Sequence, residues 1–502
     1  MSISHRARTR QMRAVRIAIV VSVGVFLGGC GGAKDRGITD PGNDGGVSKL
    51  VVVSGDAQTD TVLSPLAAPL VVRAVDSHGN GLAGVPIVFM VSDGGGTVSP
   101  AAVTTDSGGR AQAQWTLGPV GGDMRVHAAV QDDVVVAATL HATVEWPPLR
   151  SVMLDVGYEH SCAVEPRLGL YCWGKNDVGQ LGDGTTEDRL HAVPVQGGTS
   201  FHFVTAGGDG HTCALTSDGV AYCWGRNVWG QLGDGTTVPH GTPQPVYGDL
   251  RFTALSAGAE YTCGLTADGK VYCWGFMEGS SSTIPPTPIL VSGTQQFQSI
   301  DAGDFQLCGI GTDGVTYCFH GTYTPDGING GPGSVWRPVA VSTSLRFTSL
   351  TAGLMFTCGV TDAGVAYCWG MNTYGELGTG NTDSAAVPTA VAGDLRYRSL
   401  HAGYDWVCGI TTAGTNSCWG HDSWGQLGFD DAAPSVHPSP ESMPLPDGVT
   451  FTAMDGGLYH MCGIASTSLT YCWGGGFNGQ LGDGRSAEFY SRPTPEVVRR
   501  RS

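Results

Sequence analysis

The sequence predicts an all-β protein with more than one domain. Of its 502 residues, 78 are Gly and only 14% are charged, a composition typical of turn-rich chains. Short runs rich in Val, Thr, Phe and Tyr are broken by Gly, Asp and Pro, and amphipathic helical patterns are nearly absent. Stretches such as LYCWGKNDVGQLGDGTT and AYCWGRNVWGQLGDGTT also recur. We therefore expect short strands, repeated along most of the chain.

The first element is an export signal over residues 1–29. It begins with MSISHRARTRQMRAVR, which carries five Arg and no acid, and continues into the apolar stretch IAIVVSVGVFL. That stretch is too short to cross a bilayer as a permanent helix. The segment is thus predicted to direct export and then to be removed.

Cys30 follows the apolar stretch in the sequence LGGC, which resembles a bacterial lipobox. The resemblance implies that Cys30 is lipidated, becomes the first residue of the mature chain and anchors it to the membrane. The alternative is a cleaved signal with a coincidental Cys. Gly31 stands where Asp would suggest inner-membrane retention, so the resemblance favours the bacterial cell envelope, at the outer membrane or cell surface.

The negative net charge of the chain argues against nucleic acid as a partner. The formal net charge is −17, and loss of five Arg with the signal changes it to −22. A strongly acidic exported chain is repelled by phosphate backbones, so nucleic acid is not an expected partner.

Residues 30–46 are predicted to be a flexible tether, because GGAKDRGITDPGNDGG is dominated by Gly, Asp and Pro. Residues 47–147 lack Cys and contain about seven short strand patterns, which indicate a β-sandwich. The stretch APLVVRAVDSHGNGLAGVPIVFMVSDGGGTVSP and the later TTDSGGRAQAQW resemble bacterial Ig-like domains of invasin and intimin type. This resemblance implies a spacer, with Val75, Phe89 and Trp115 in its core.

Residues 148–502 contain the repeats. After Cys30, the remaining 14 Cys form seven pairs, each with nine residues between its members, and successive pairs lie 45 to 54 residues apart. A period of that length with several short strands per unit predicts a seven-bladed β-propeller. Its cysteines are Cys162 and Cys172, Cys213 and Cys223, Cys263 and Cys273, Cys308 and Cys318, Cys358 and Cys368, Cys408 and Cys418, and Cys462 and Cys472.

Each cysteine pair is predicted to form a disulfide within one hairpin. In HTCALTSDGVAYCWG, two strands flank a Ser217–Asp218–Gly219 turn, which places Cys213 opposite Cys223. Even pairing and export favour disulfides. Small buried residues packed between blades are one alternative, and metal ligation is another, although metal would need ligands from several hairpins.

The repeat A-G-x-x-H-x-C-A-L-T-x-D-G-x-x-Y-C-W-G-x-N-x-x-G-Q-L-G-D-G-T resembles the regulator of chromosome condensation repeat over residues 149–498. That resemblance implies a seven-bladed propeller. Nuclear members of the family exchange guanine nucleotide on a small GTPase and bind chromatin, whereas others sense light or inhibit secreted β-lactamases. Units three and four replace the Gly-Gln-Leu-Gly motif with GFMEGSSSTIPPTP and HGTYTPDGINGGPGS.

No pattern predicts catalysis. His160, His211 and His460 occupy one repeat position and could bind a metal or make structural hydrogen bonds. Asp183, Asp234 and Asp483 are interpreted as turn residues, with calcium as the alternative. No nucleophile–base pair, paired carboxylates or phosphate loop stands out. We therefore expect a non-enzymatic protein without metal or cofactor.

The predicted function is a cell-envelope lipoprotein whose propeller binds another macromolecule, either a protein or a glycan, and is presented by the Ig-like spacer. A monomer is expected, with the lipid anchor as its membrane contact. An inhibitor of an extracytoplasmic enzyme is the alternative, followed by an enzyme acting on surface polysaccharide.

The binding rim is predicted in the loop after each Trp-Gly, where two positions vary. Its candidate anchors are Trp229, Tyr374, Trp424 and Phe477. Packing against the adjacent blade is the alternative role. A last expectation concerns ring closure: unit one begins at LRSVMLD without a preceding Pro-containing strand, and RPTPEVV at Arg492–Val498 is left over, so the two are expected to complete one blade.

Overall fold

The computed structural model describes residues 46–118, 121–131, 133–276, 285–319, 337–429, 436–487 and 490–501. Within these ranges all regular structure is β, and the all-β prediction is confirmed. No helix there is long and apolar enough to cross a membrane. Residues 1–29 and Cys30, on which the export and lipidation predictions depend, lie outside the described residues.

Residues 49–145 form two sheets. One has the order β1-β3-β7-β5, and the other has the order β2-β9-β8-β4-β6. The nine strands are β1 (Lys49–Ser54), β2 (Gln58–Thr61), β3 (Leu70–Val75), β4 (Pro86–Asp93), β5 (Gly96–Ser99), β6 (Ala102–Thr104), β7 (Arg110–Leu117), β8 (Gly122–Val130) and β9 (Asp133–Glu145).

The two sheets share one hydrophobic core, because alternate residues of their strands point inward. Along β7, the burial alternates from Ala111 through Ala113 and Trp115 to Leu117. Trp115 is fully buried, and Phe89 packs in the same cluster from the other sheet. Val75 is also buried, so all three predicted core residues lie inside.

Residues 153–497 form seven consecutive four-stranded sheets, which we call blades 1 to 7. Blades 1 to 3 comprise β10 (Met153–Val156), β11 (His160–Glu165), β12 (Gly169–Gly174) and β13 (Arg189–Pro194); β14 (Phe203–Gly207), β15 (His211–Leu215), β16 (Ala221–Gly225) and β17 (His240–Pro245); and β18 (Phe252–Ala257), β19 (Tyr261–Thr266), β20 (Val271–Gly275) and β21 (Ile289–Leu290).

Blades 4 to 7 comprise β22 (Phe297–Ala302), β23 (Leu307–Gly311), β24 (Thr316–Phe319) and β25 (Pro338–Ala340); β26 (Phe347–Ala352), β27 (Phe356–Thr361), β28 (Ala366–Gly370) and β29 (Ala385–Ala390); β30 (Tyr397–Ala402), β31 (Trp406–Thr411), β32 (Asn416–His421) and β33 (Val436–Ser442); and β34 (Phe451–Gly456), β35 (His460–Ala465), β36 (Thr470–Gly475) and β37 (Ser491–Val497).

The blades close into a ring around their first strands. The first strand of each blade contacts that of the next, and β34 of blade 7 contacts β10 of blade 1. Apolar side chains fill the spaces between adjacent blades; for example, Phe201 and Trp224 of blade 2 pack on Leu170 of blade 1. Each blade thus buries its faces against its neighbours, as the repeat period predicts.

The expected composite blade is wrong. Residues Arg492–Val498 do supply an outer strand, β37, but its three partners β34, β35 and β36 all come from the seventh unit. Unit one has its own outer strand, β13. The Pro-containing strand therefore ends each unit, because it pairs with the hairpin that precedes it in the chain.

The C-terminal segment nevertheless touches the start of the ring. Leu149 N–H donates to the carbonyl of Val498 at 2.8 Å, and Pro148 bridges to Arg499. The Arg499 guanidinium also pairs with Glu145 at 2.8 Å, at the end of β9. Residues 498–501 thus join blade 7, blade 1 and the last strand of the N-terminal sheets.

Candidate functional site

A hydrogen bond between neighbouring blades explains why Trp-Gly and Gly-Gln-Leu-Gly recur together. The Trp224 indole Nε1 in blade 2 donates to the backbone carbonyl of Gln180 in blade 1 at 3.0 Å. The Gln180 side chain accepts the backbone N–H of Val178 at 3.0 Å, which orders the loop. We call this arrangement the latch. It recurs from Trp274 to Gln231, Trp419 to Glu376, Trp473 to Gln426 and Trp173 to Gln480.

Blade 4 departs from the latch in a consistent way. It follows blade 3, in which the Gly-Gln-Leu-Gly motif is lost, and it carries Phe319 where most blades have Trp. Phe319 is fully buried and has no ring N–H that would need an acceptor. The replacement segments of units three and four lie largely outside the described residues.

The candidate rim lies on what we call the upper face, the end of each blade where the first strand turns into the second and the third strand ends. Pairing of His211 with Gly225 places these two loops side by side. Trp229 of blade 2 is 39% exposed, and its ring lies 4.8 Å from that of Phe276 in blade 3. Its indole Nε1 donates to the Glu260 carboxylate, also of blade 3, at 2.8 Å.

The other three rim candidates lie on the consecutive blades 5, 6 and 7. Tyr374 is 39% exposed and stacks on His421 of blade 6 at 4.5 Å. Trp424 of blade 6 meets Phe477 of blade 7 edge-on at 4.6 Å and lies 6.0 Å from Tyr459. Both Trp424 and Phe477 are half-buried. Each rim ring of blades 2, 5 and 6 therefore contacts the next blade and keeps part of its surface accessible.

The structure joins each of the seven predicted cysteine pairs by a disulfide, with Cα atoms 4.0 to 4.1 Å apart. Cys213 and Cys223 are directly paired across their hairpin, as the turn predicts. The bridge also contributes to packing between blades, since both cysteines belong to one buried cluster with Phe252 and Trp274 of blade 3. The disulfide prediction is confirmed.

The three repeated histidines make hydrogen bonds to hydroxyl groups of the neighbouring blade. His160 Nε2 lies 2.9 Å from Thr212 Oγ1, and His211 Nε2 lies 3.0 Å from Thr262 Oγ1. His460 Nε2 makes the equivalent contact with Ser161 at 2.7 Å. Burial lowers the pKa of His160 to about 4 and those of His211 and His460 to about 3, so all three are neutral.

The repeated aspartates lie in turns. Asp183 Oδ1 accepts the backbone N–H of Thr185 at 3.0 Å, and its other oxygen accepts Arg189 Nε at 2.7 Å. Asp234 accepts the equivalent N–H of Thr236 at 2.8 Å. Asp483 accepts the N–H of Arg485 at 3.1 Å. These contacts match the turn interpretation. Within the described ranges, no three His, Cys, Asp or Glu side chains are grouped to hold a metal ion.

A ring of polar side chains around the propeller axis was not predicted. One position in the first strand of each blade, opposite the first Cys, carries Asp155, Thr205, Ser256, Asp301, Thr351, His401 and Asp455. At six of the seven junctions, this side chain accepts a backbone N–H from the next blade at 2.7 to 3.2 Å. We call this set the axial ring.

Six members of the axial ring, all except His401, line a cavity of about 100 Å³. Tyr158 of blade 1 also lines this cavity and donates to Asp304 of blade 4, and the ring of Tyr404 lies edge-on to Tyr158 at 5.5 Å. Desolvation raises the pKa values of Asp155, Asp301 and Asp304 to about 7. The pKa of Asp455 is also raised by desolvation, with repulsion from Asp155 adding to it.

Sequence reasoning also missed a series of contacts between a Ser, a His and an Asp side chain. On the upper face of blade 6, Asp405 Oδ2 lies 2.8 Å from His421 Nδ1, and Ser423 Oγ contacts His421 Nε2. The available signal was the residue directly after Trp-Gly, which is Lys175 in unit one, Arg226 in unit two and the titratable His421 in unit six.

Comparison with known sequences identifies the repeats. The family model "Regulator of chromosome condensation (RCC1) repeat" matches residues 169–215, 218–265 and 363–410, and a second model of the same description matches residues 204–231 and 347–376. The chain carries RCC1 repeats. These matches cover parts of blades 1, 2, 3, 5 and 6.

Among curated relatives, the chain is 34% identical over 116 residues to the ultraviolet-B receptor UVR8 of Arabidopsis thaliana, covering 22% of this chain and 26% of the receptor. It is 34% identical over 116 residues to human protein RCC2, covering 22% of each. It is 40% identical over 90 residues to the human probable E3 ubiquitin-protein ligase HERC4, covering 17% of this chain and 8% of the ligase. The similarity therefore spans only a minor part of each relative.

Solved structures support the propeller fold of the RCC1-repeat region. Yeast RCC1 (Prp20), in its complex with Kap60, aligns with a TM-score of 0.57 at 17% identity over 70% of this chain and 85% of that one. Human WBSCR16 aligns with a TM-score of 0.55 at 17% identity over 66% and 91%. At this identity the likeness concerns the fold alone.

Proposed function

We propose that this protein is a lipid-anchored binding protein of the bacterial cell envelope, in which the upper face of the RCC1-repeat propeller binds another macromolecule. The N-terminal sheets act as an Ig-like spacer between the anchor at Cys30 and the seven-bladed propeller. The partner is a protein or a glycan displayed at the cell surface.

One observation carries the binding proposal: aromatic side chains are exposed on the upper face although the loop does not require them there. The latch fixes the loop through Gly and Gln residues, and the backbone N–H of Trp229 is held by Gln231 Oε1 at 3.0 Å. An Ala at this position would keep that hydrogen bond. Trp and Tyr bury much surface with few rotatable bonds, which makes them effective anchors.

Contacts with the next blade favour binding rather than oppose it. Trp229 is held by Phe276 and Glu260, and Tyr374 is held by His421, so both rings are fixed before a partner arrives. Ordering side chains in advance reduces the entropy lost on association. Yeast Prp20, which has this fold, has protein partners: one structure shows it bound to Kap60, and another describes its binding to Gsp1p and histones.

The lipid anchor and the spacer rest on separate arguments. LGGC after an apolar stretch is the argument for Cys30. The argument for the spacer is that two sheets with one shared core, and without any Cys, stand between residues 30–46 and the propeller in the order of the chain. Loops held at one end of a packed β-scaffold, such as those of the upper face, are well placed to meet a partner.

The test is a pull-down of cell-surface material with the full-length protein and with a Trp229→Ala, Trp424→Ala double variant. We expect the double variant to lose the partner captured by the wild type while its thermal unfolding midpoint falls by no more than a few degrees. Retained capture would contradict the rim as the binding site. A large fall in stability would instead assign these rings to packing between blades.

Tyr247→Ala provides a matched control. Tyr247 is 65% exposed and follows β17, whose end lies at the opposite end of blade 2 from the rim. Because this variant removes an aromatic ring that is more exposed than Trp229, it should reduce non-specific hydrophobic binding at least as much as the double variant does. We expect its capture of the partner to equal that of the wild type.

A further inference from the structure

We propose that blade 6 carries an acyl-ester hydrolase site, in addition to any binding role of the rim. In this site Ser423 is the nucleophile, His421 is the general base, and Asp405 is a positioning residue. The substrate class is a carboxylic ester displayed on a larger molecule.

The three side chains form a connected series. Asp405 Oδ2 lies 2.8 Å from His421 Nδ1, which places the proton of the neutral imidazole on Nδ1 and leaves Nε2 as an acceptor. Ser423 Oγ contacts that Nε2 atom. Proton removal from a serine hydroxyl by His requires this direct contact.

The imidazole ring is held from two further directions. The backbone N–H of His421 donates to the carbonyl of Asp405 at 3.1 Å, so the two residues remain adjacent independently of their side chains. Tyr374 of blade 5 stacks on the imidazole with an angle of 16° between the rings. Ring position and tautomer are therefore fixed by separate contacts.

Blade 1 has a structural ion pair at the positions that His421 and Asp405 occupy in blade 6. There Lys175 occupies the position of His421, and its Nζ lies 2.6 Å from Glu159 and 3.7 Å from Asp177. Its backbone N–H donates to the carbonyl of Glu159 as His421 does to that of Asp405. In blade 1, therefore, an acid and a base at these positions form a structural ion pair. Such an ion pair does not require His at the position of Lys175, nor Ser at the position of Asp177, which is the position of Ser423 in blade 6.

Accessibility fits a reaction at the surface. Ser423 is exposed, whereas the His421 side chain is 25% exposed and that of Asp405 only 11%. The nucleophile faces solvent and the base lies partly behind it. An exposed nucleophile on an open face can reach an ester group carried by a bulky or polymeric alcohol. The accessible ring of Tyr374, which stacks on His421, offers an apolar contact.

The reaction balances as acyl transfer to water. Ser423 Oγ attacks the ester carbonyl carbon while its proton passes to His421 Nε2. The bond between that carbon and the alcohol oxygen then breaks, and the leaving oxygen takes the proton from Nε2. Water attacks the resulting acyl-serine, gives one proton to Nε2, and releases the carboxylic acid as the proton returns to Ser423 Oγ.

The surrounding charges predict a pH profile. Asp405 raises the pKa of His421 through its hydrogen bond, burial opposes this rise, and the carboxyl groups of Asp405, Asp422 and Glu376 raise it further. Because only neutral His421 can accept the serine proton, the rate should increase with pH through this raised pKa. An Asp405→Asn substitution should move the midpoint of the profile to lower pH.

The test combines active-site labelling with kinetics on the full-length protein. A fluorophosphonate probe should modify Ser423, as located by peptide mapping, and p-nitrophenyl acetate should be hydrolysed with a burst. We expect Ser423→Ala to lose the label and to lower the hydrolysis rate by about 100-fold or more. Ser217→Ala, which changes an exposed serine in a blade 2 turn, should retain the wild-type rate.

Two results would overturn the proposal. One is a wild-type protein in which the probe leaves Ser423 unmodified. The other is a Ser423→Ala variant that hydrolyses the ester at the wild-type rate, which would assign the activity to unspecific surface groups. A rate loss in Asp405→Asn without a shift of the pH midpoint would show that Asp405 is structural and does not position the base.

Discussion

Replacing Asp301 by Asn should stabilise the protein, although it removes a charged hydrogen-bond acceptor from the axial ring. Asp301 Oδ2 accepts the backbone N–H of Ala352 at 2.7 Å, joining blade 4 to blade 5. Asn can keep this hydrogen bond through its side-chain carbonyl. What it removes is the cost of holding a carboxylate beside the axial cavity, away from bulk water.

The size of the effect follows from the pKa. Desolvation, with repulsion from Asp155, raises the pKa of Asp301 from 3.8 to about 7, while the hydrogen bond from Ala352 lowers it. At about 1.4 kcal/mol per pKa unit, ionisation in the folded protein costs up to about 4 kcal/mol relative to the unfolded chain. Because the side chain keeps part of its surface open to the cavity, we expect about 2 kcal/mol.

The sign sets the pH dependence. A carboxyl whose folded pKa is raised favours folding fully below pH 4, and this contribution is lost as pH rises through about 7. Asp301→Asn should therefore match the wild type at pH 4 and unfold at a higher temperature at pH 8. Thermal unfolding followed by circular dichroism at both pH values is the measurement.

Asp218→Asn is the matched control. Asp218 lies in an exposed turn, where a hydrogen bond from Thr216 lowers its pKa, so its ionised form favours folding. This variant should show no gain at pH 8. An Asp301→Asn variant that is less stable than the wild type at pH 8, or that differs equally at pH 4 and pH 8, would refute the reasoning.

Three further predictions concern the anchor, the disulfides and ring closure. Metabolic labelling with palmitate should mark the wild type but not Cys30→Ala, and label retained in that variant would exclude Cys30 as the acylated residue. Non-reducing peptide mapping of the exported protein should recover seven bridges within hairpins, whereas 14 titratable thiols would contradict them. Deleting residues 491–502 removes β37 and the contacts of residues 498–501 with blade 1, so the melting temperature should fall sharply; an unchanged value would count against closure by this segment.

Local features were predictable because they depend on short stretches of chain. The nine-residue spacing and the turn at Gly219 fix which cysteines face each other, and both the pairing and the bridge follow. The inward alternation that buries Trp115 has the same origin. Period and composition together sufficed for the all-β, repeated architecture.

Features that join distant units were not predictable. The outer strand was assigned to the wrong side of its unit because a loop separates it from its hairpin, and a Pro-rich strand pairs equally well with a hairpin before or after it. The axial ring draws one residue from each blade, so Asp155 and Asp455 become neighbours only when the ring closes. His421 and Asp405 lie 16 residues apart and meet only because two loops share one end of a blade.

The latch gives the ring a direction. At five junctions the Trp indole of one blade donates to the blade that precedes it around the ring, with blade 7 preceding blade 1, so the contact is head-to-tail, like that between subunits in a cyclic oligomer. Duplication of a unit that carries both the Trp and the Gly-Gln-Leu-Gly loop would leave an acceptor facing a donor at the new junction. Recombination at a point inside a unit would separate the donor from the acceptor. The ring of Phe319 has no N–H group, so an exchange at blade 4 would join unlike surfaces.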